Sequence, residues 1–172
     1  RDYFTGGMGA EAVRDLLQRR DGLMLGICNG FQALVKLGLV PFGDIRPMDE
    51  ECPTLTFNSI GRHQSRLVRT RVASNLSPWF SACEVGDIHT VAISHGEGRF
   101  VAPPAVLDAL VAGGQVATQY VDAAGTPSMD LAVNPNGSLL AIEGITSPDG
   151  RVLGKMGHTE RSGAGLYKNA FG

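Results

Sequence analysis

The chain has 172 residues, 43% of them hydrophobic, and a formal net charge of −2 at pH 7. This length and composition predict one well-packed domain spanning residues 1–172. The charge balance excludes the basic surface of a nucleic-acid-binding protein, and no apolar run is long enough to span a membrane. Three cysteines in no metal-binding or C-x-x-C spacing suit a reducing compartment. We therefore expect a cytoplasmic protein with neither nucleic acid nor membrane as a partner.

The first predicted element is a helix over residues 9–20, which ends before Gly22. Its apolar face is formed by Ala12, Val13, Leu16 and Leu17. The chain starts abruptly at Arg1 rather than at methionine, so we expect it to be part of a longer protein.

A cysteine follows at the turn between a predicted strand and a predicted helix. The apolar run 22–25 predicts a buried parallel strand, and apolar residues at helical spacing between Phe31 and Leu37 predict a helix that stops at Gly38. Between them lies the pattern Gly26-x-Cys28-x-Gly30. Small flanking residues let strand and helix approach at a strained elbow, and a helix N-terminus favours the reactive thiolate. The pattern favours a nucleophilic Cys28 over an inert buried one.

The remainder of the chain predicts a mixed sheet. A helix should start after Pro103-Pro104 and end at Gly113, and turns are predicted at 134–137 and 147–150. The predicted strands are Thr54–Ile60, Arg66–Val72, His89–Ser94, Arg99–Ala102, Gln115–Val121, Leu139–Ile142 and Arg151–Met156. The arginines Arg62, Arg66, Arg69 and Arg71 are interpreted as the solvated face of a strand, with contact to another domain or to an anionic ligand as the alternative. The fold class is thus α/β, with parallel pairing near the cysteine, antiparallel strands later, and an active edge at the carboxyl ends of the parallel strands.

A cysteine nucleophile needs a base, and His158 is the best candidate among four histidines. It follows the last predicted strand, and Glu160, two residues on, could orient its imidazole. His95 is a rival with Glu97 at the same spacing, and it could instead line the cleft. His63 and His89 have no such carboxylate nearby and are interpreted as ordinary polar residues.

These motifs resemble triad (class I) glutamine amidotransferases, which carry G-x-C-x-G-x-Q followed by H-x-E. Four longer strings resemble the glutaminase domains of phosphoribosylformylglycinamidine synthases. They are 26–32 (GICNGFQ), 93–99 (ISHGEGR), 134–138 (NPNGS) and 149–151 (DGR) ahead of 158–161 (HTER). The run Gly154-Lys-Met-Gly-His158 replaces a more usual M-P-H-P-E-R run and resembles the long single-chain bacterial form.

The resemblance implies a flavodoxin-like fold, a mostly parallel central sheet flanked by helices with added antiparallel strands. It also implies that Cys28 attacks the amide of glutamine and that His158 and Glu160 complete a catalytic triad. Asn29 would supply an oxyanion N–H, while Gln32, Gly30 and His95 would contribute to the glutamine site. Ammonia would pass to a synthase domain that uses ATP and Mg²⁺, and the glutaminase domain itself would need no cofactor.

One departure and two alternatives accompany this interpretation. The N-terminal strands and the glycine-rich oxyanion loop of the family have no counterpart here, and Gly6-Gly7 is too close to the first helix to replace that loop. The protein could be another triad amidotransferase serving nucleotide or cofactor synthesis. It could also be a non-catalytic docking or regulatory module that keeps the elbow for folding reasons.

Overall fold

The structure, a computed structural model, describes residues 11–13, 15–19, 22–46, 49–50, 52–56, 64–95, 98–135 and 137–157. Eight strands are present in this part of the chain: β1 (Met24–Ile27), β2 (Thr54–Thr56), β3 (Gln64–Val72), β4 (Ile88–His95), β5 (Arg99–Val101), β6 (Val116–Tyr120), β7 (Ile142–Thr146) and β8 (Val152–Lys155). Six of them form one sheet in the order β1-β8-β7-β6-β3-β4, and β2 pairs with β5 in a small second sheet. The main helices are α1 (Asn29–Leu37) and α2 (Pro104–Ala112).

The cysteine end of the sheet is held by parallel pairing and by helix packing. Strand β1 pairs in parallel with β8 from Met24↔Val152 to Ile27↔Lys155. Helix α1 buries Phe31 against this pair so closely that a Cβ at Gly154 would lie 2.3 Å from the phenyl ring. This end of the sheet therefore fixes where α1 begins, and with it the position of the elbow.

The other pairings of the large sheet are antiparallel. Strands β7 and β8 are joined by the turn 147–150, in which Ser147 N–H donates to Val152 O at 3.0 Å and Gly150 has φ 77°. The predicted hairpin turn is therefore confirmed. The sheet also curls, because a Cβ at Gly157, just beyond β8, would lie 2.4 Å from Val91 Cγ2 of β4.

The predicted α/β class, and parallel pairing beside the cysteine followed by antiparallel strands, are confirmed. The parallel share is smaller than the resemblance implied, since β1–β8 is the parallel pair in the described part of the sheet. Strand β7 also starts later than predicted: Leu140 and Ala141 have φ 51° and 54° and form a tight turn before Ile142. Local propensity could not reveal that turn, because leucine and alanine are not among the residues that usually adopt positive φ.

The described part of the first predicted helix, 11–13 and 15–19, is helical. Leu17 is buried as expected, but Ala12 is exposed, so the buried face is narrower than predicted. On β3, Val68 and Thr70 are buried while Leu67 and Arg69 are exposed, which confirms a strand with one solvated face. The prediction that the arginines form this face is right for Arg69 and wrong for Arg66, which is half-buried on the face of Val68 because side chains alternate along a strand. Arg71 is half-buried and Arg62 lies outside the described residues. None of the described helices is both long and apolar enough to cross a bilayer.

Candidate active site

Cys28 occupies a strained elbow between β1 and α1. Its φ of 57° and ψ of −106° lie where a residue with a side chain is rarely found. Two backbone hydrogen bonds hold it there: Cys28 N–H donates to Lys155 O at 2.9 Å, and Gln32 N–H donates to Cys28 O at 3.1 Å. The first bond ties the elbow to β8 and the second starts α1. The predicted order of strand, elbow and helix is thereby confirmed. The prediction that the strand is buried is wrong for the described residues: Leu23 and Leu25 are exposed, because β1 is the terminal strand of the described sheet and pairs on one side with β8.

The two glycines that flank Cys28 differ in their surroundings. A Cβ at Gly26 would lie 2.6 Å from the carbonyl oxygen of Gly30 and 2.6 Å from Leu34 Cδ1, so strand and helix could not approach. A Cβ at Gly30 would meet no atom of the described residues within 4 Å. The expectation that both glycines serve close packing is therefore right for Gly26 and wrong for Gly30, which faces open space within the described part of the chain.

The start of α1 supplies the polar environment of the elbow. Asn29 is exposed at the first helical position, where backbone N–H groups have no partner within the helix. Gln32 is half-buried one turn further along. The positive end of the helix dipole favours negative charge at this place, either on a thiolate or on an oxyanion.

The structure describes the backbone of one candidate base, His95, but not the other candidate, His158. His158 and Glu160 lie outside the described residues, as do His63 and Glu97. His95 ends β4, and its side chain is likewise outside the described part. Val91 of the same strand would contact a Cβ at Gly157, the residue before His158. The fold thus brings the strand of His95 to the segment that leads to His158.

Two of the strings that carried the resemblance pack against each other. The buried Asn134 side chain donates to Ser138 O at 2.8 Å and accepts from Ser138 N–H at 3.0 Å. Ser138 Oγ then accepts from Phe100 N–H at 2.9 Å and donates to Gly98 O at 3.2 Å. The turn 134–138 therefore clamps the chain where it enters β5, just after His95.

A buried polar cluster behind the elbow was not anticipated. Glu143 on β7 is fully buried and accepts hydrogen bonds from Thr118 Oγ and, at 2.6 Å, from Gly157 N–H. Lys155 Nζ lies 3.8 Å from Glu143 Oε1. Burial and then the charge of Lys155 lower the pKa of nearby His89. The sequence offered one hint, since Lys155 and Gly157 lie in the run that replaces the usual one.

Comparison with known proteins now identifies the family. A family model described as the CobB/CobQ-like glutamine amidotransferase domain matches residues 8–171. The chain belongs to this family. The matched range includes the elbow at Cys28. The catalytic role of Cys28, like the roles of the other predicted residues, remains a prediction.

Several curated relatives in this amidotransferase family are named phosphoribosylformylglycinamidine synthase subunit PurQ. The one from Synechococcus elongatus is 40% identical over 153 residues, which cover 88% of this chain and 58% of the relative. The one from Symbiobacterium thermophilum is 38% identical over 162 residues, which cover 94% and 63%. This chain therefore spans about three fifths of the length of these relatives.

A solved structure described as PurLQS from Thermotoga maritima matches with a TM-score of 0.62 and 28% identity, over 98% of this chain and 68% of that one. This match agrees with the α/β fold of a class I glutamine amidotransferase. The expected long single-chain form is not supported, because the relatives are named as a separate subunit.

Proposed function

We propose that this chain is the glutaminase part of a phosphoribosylformylglycinamidine synthase, of the separate-subunit type, acting in purine biosynthesis. The observation that carries the proposal is Cys28 at φ 57° between β1 and α1, in a chain 40% identical to subunits of that name. A strained elbow at a helix N-terminus has a chemical use when the residue on it must reach a substrate.

The chemistry follows from the residues around the elbow. His158, oriented by Glu160, takes the proton of the Cys28 thiol, and Cys28 Sγ attacks the side-chain amide carbon of glutamine while Asn29 N–H donates to the oxyanion that forms. His158 gives this proton to the amide nitrogen, so the C–N bond breaks, ammonia leaves and a glutamyl thioester remains. His158 then takes a proton from the attacking water and passes it to Sγ as the C–S bond breaks, which releases glutamate and restores the thiol. Thiol, imidazole and water suffice for these steps, so the site needs no cofactor.

The open side of Gly30 is the place we assign to glutamine. Because no described atom would contact a Cβ there, the backbone at the start of α1 can be approached closely from this side. Gln32 lies one helical turn after Cys28 and is half-buried, which suits a side chain that positions the substrate. His95 is the remaining proposed contact, on the strand that reaches the same edge.

The acceptor of ammonia would be an ATP- and Mg²⁺-dependent synthase that converts formylglycinamide ribonucleotide to an amidine. The names of the curated relatives and of the solved structure support a separate partner protein for this step. A cytoplasmic location fits this role. The three cysteines all lie within the described residues and form no disulfide there, which is compatible with such a reducing compartment.

The decisive test compares glutamine and ammonium chloride as nitrogen sources for the full-length protein assembled with its synthase partner. Cys28→Ala should abolish glutamine-dependent amidine formation and leave the ammonia-dependent reaction intact. Cys52→Ser is the matched control, because Cys52 is buried in a loop and bonded to Asp49, and it should leave both reactions unchanged.

Two other outcomes would redirect the assignment. Glutamine hydrolysis without amidine formation would indicate another triad amidotransferase. If a glutamine-analogue affinity label fails to react with Cys28 in preference to Cys52 and Cys83, or if glutamine gives no protection, the chain is a non-catalytic module.

A further inference from the structure

Glu143 holds the strand end that leads to His158. Its backbone carbonyl accepts from Met156 N–H at 3.2 Å, and its carboxylate oxygen Oε1 accepts from Gly157 N–H at 2.6 Å. The second carboxylate oxygen accepts from Thr118 Oγ on β6. Since the side chain is fully buried, its position is set by these partners and by packing. Three elements are thereby joined at one residue.

Lys155 joins the same cluster to the nucleophile. Its ammonium lies 3.8 Å from Glu143 Oε1, and the residue is 7% exposed. Its backbone carbonyl accepts from Cys28 N–H at 2.9 Å. Lys155 therefore contacts Glu143 with its side chain and the elbow with its backbone, so the cluster spans the distance from Cys28 to the residue before His158.

Glycines make room for this arrangement. A Cβ at Gly157 would lie 2.9 Å from Glu143 Oε1, and a Cβ at Gly144 would lie 2.7 Å from Thr118 Oγ. Both distances are too short for a side chain. A proline at residue 157 would have no N–H and could not make the bond to Glu143. A glycine at residue 157 therefore provides both the N–H and the space that the bond to Glu143 requires.

Stability alone is a poor reason for such a cluster. Buried ion pairs are often matched or exceeded in stability by apolar residues of similar volume, because desolvation offsets their attraction. Two other titratable groups lie near the pair: His89 on β4 and Asp87 just before that strand. Among the ion pairs of the described residues, neither group pairs directly with Glu143 or Lys155, so neither offsets the desolvation cost of the pair. A requirement for fixed geometry explains the pair better.

We propose that Glu143 is a positioning residue which, together with Lys155, fixes the segment carrying His158 relative to Cys28. This inference rests on the proposed glutaminase function for its catalytic meaning. The carboxylate does not touch substrate; it acts by holding Gly157 N–H. Misplacing a catalytic group by about 1 Å can cost about 10²-fold in rate, so the bond has a measurable consequence.

The test uses two double variants of the full-length protein with its synthase partner. Glu143→Gln with Lys155→Met removes both charges but keeps an oxygen that can accept from Gly157 N–H. Glu143→Leu with Lys155→Met removes the charges and the acceptor as well. Neither variant has an unpaired buried charge, so we expect both to fold. Thermal unfolding measures whether they do.

We call the Glu143→Gln/Lys155→Met variant the Gln pair and the Glu143→Leu/Lys155→Met variant the Leu pair. The Gln pair should keep kcat for glutamine hydrolysis within a few-fold of the wild type. The Leu pair should lose about 10²-fold in kcat, with KM little changed. If a folded Leu pair keeps the wild-type kcat, or if both pairs lose activity equally, the positioning role is overturned. If Glu143 had a purely structural role, the Leu pair would unfold at a lower temperature, but its kcat would not fall selectively while KM stayed unchanged.

A second readout does not depend on glutamine turnover. The pH midpoint of Cys28 alkylation by iodoacetamide reports whether an imidazolium lies beside the thiol, and Cys52 serves as the internal reference in the same peptide map. The Leu pair should match His158→Ala, and the Gln pair should match the wild type. If the wild type itself matches His158→Ala, the inference fails. If the midpoints separate as expected but glutamine is not hydrolysed, the proposed function fails and the positioning role stands.

Discussion

The β3–β4 hairpin and the β1–β8 end of the sheet are built in opposite ways. Strands β3 and β4 pair in an unbroken antiparallel register from Gln64↔His95 to Arg71↔Ile88. At the other end, β1 is followed by a non-glycine residue at φ 57°, and Glu143 and Lys155 lie buried behind it.

The difference shows where the molecule departs from unstrained backbone and ordinary burial of apolar residues. Strain and buried charge cost stability and persist where surrounding contacts over-determine them, which is typical of functional sites. The hairpin obeys the ordinary alternation of a half-buried strand, with Thr70 buried and Arg69 exposed. Variants of the two regions should therefore differ in kind, and the following experiments rank them from the largest effect to the smallest.

Cys28 should show the largest effect. Cys28→Ala should lower glutamine hydrolysis by at least about 10³-fold, since the nucleophile is lost. Cys28→Gly should be equally inactive yet more stable than Cys28→Ala by about 1 kcal/mol, because glycine adopts φ 57° without strain. Denaturant unfolding of the two variants measures the difference. Equal stabilities would show that the elbow is not strained.

The two elbow glycines form a matched pair. Gly26→Ala should destabilise the fold by about 1–3 kcal/mol, because its Cβ would overlap the backbone of Gly30 and cannot be relieved by a side-chain rotation. Gly30→Ala should change stability by no more than about 1 kcal/mol in either direction. Its effect should instead be a raised KM for glutamine, as the open side of α1 is partly filled.

Unfolding and steady-state kinetics together separate these two roles. A Gly30→Ala variant with unchanged KM would remove glutamine from that side of the helix. A stable Gly26→Ala variant would mean that strand and helix can move apart.

His89 links the hairpin to the buried cluster and should give a smaller, pH-dependent effect. Burial, reinforced by Lys155, lowers the pKa of His89 below its ordinary value of 6.5. The unfolded chain therefore takes up the proton first as the pH falls. The stabilisation is complete above about pH 6.5 and is lost as the pH falls through the folded-state pKa.

Replacing His89 with Gln should flatten the decline of unfolding free energy between pH 7 and pH 5. Chemical denaturation at several pH values measures the slope for both proteins. An unchanged slope would assign the acid sensitivity to another group.

Leu67 should give the smallest effect. It is 62% exposed on β3, so Leu67→Thr should change the unfolding free energy by no more than about 0.5 kcal/mol and leave glutamine hydrolysis unaltered. Thermal unfolding and a glutaminase assay test both statements. A large loss of activity with normal stability would reveal that the hairpin contributes to function, for example through the synthase partner, and would remove the contrast between the two regions.

The sequence by itself determined the elbow, the strand before it and the helix after it. These features depend on local signals: glycine spacing around Cys28, an apolar run before it and helical periodicity from Phe31 onward. The hairpin turn at 147–150 was equally accessible, because turn chemistry resides in adjacent residues. The family resemblance rested on the same short strings.

The tertiary structure decided the cluster of Glu143, Lys155 and Gly157. Glu143 lies within a strand of otherwise ordinary sequence, and its partners come from β6, from β8 and from Gly157, two residues beyond β8. No local pattern encodes contacts between such separated segments. Likewise, only the packing around each Cβ position distinguished Gly26, which must be small, from Gly30, which faces open space. Both decisions depend on which atoms become neighbours when the sheet curls, and pattern in the chain does not carry that information.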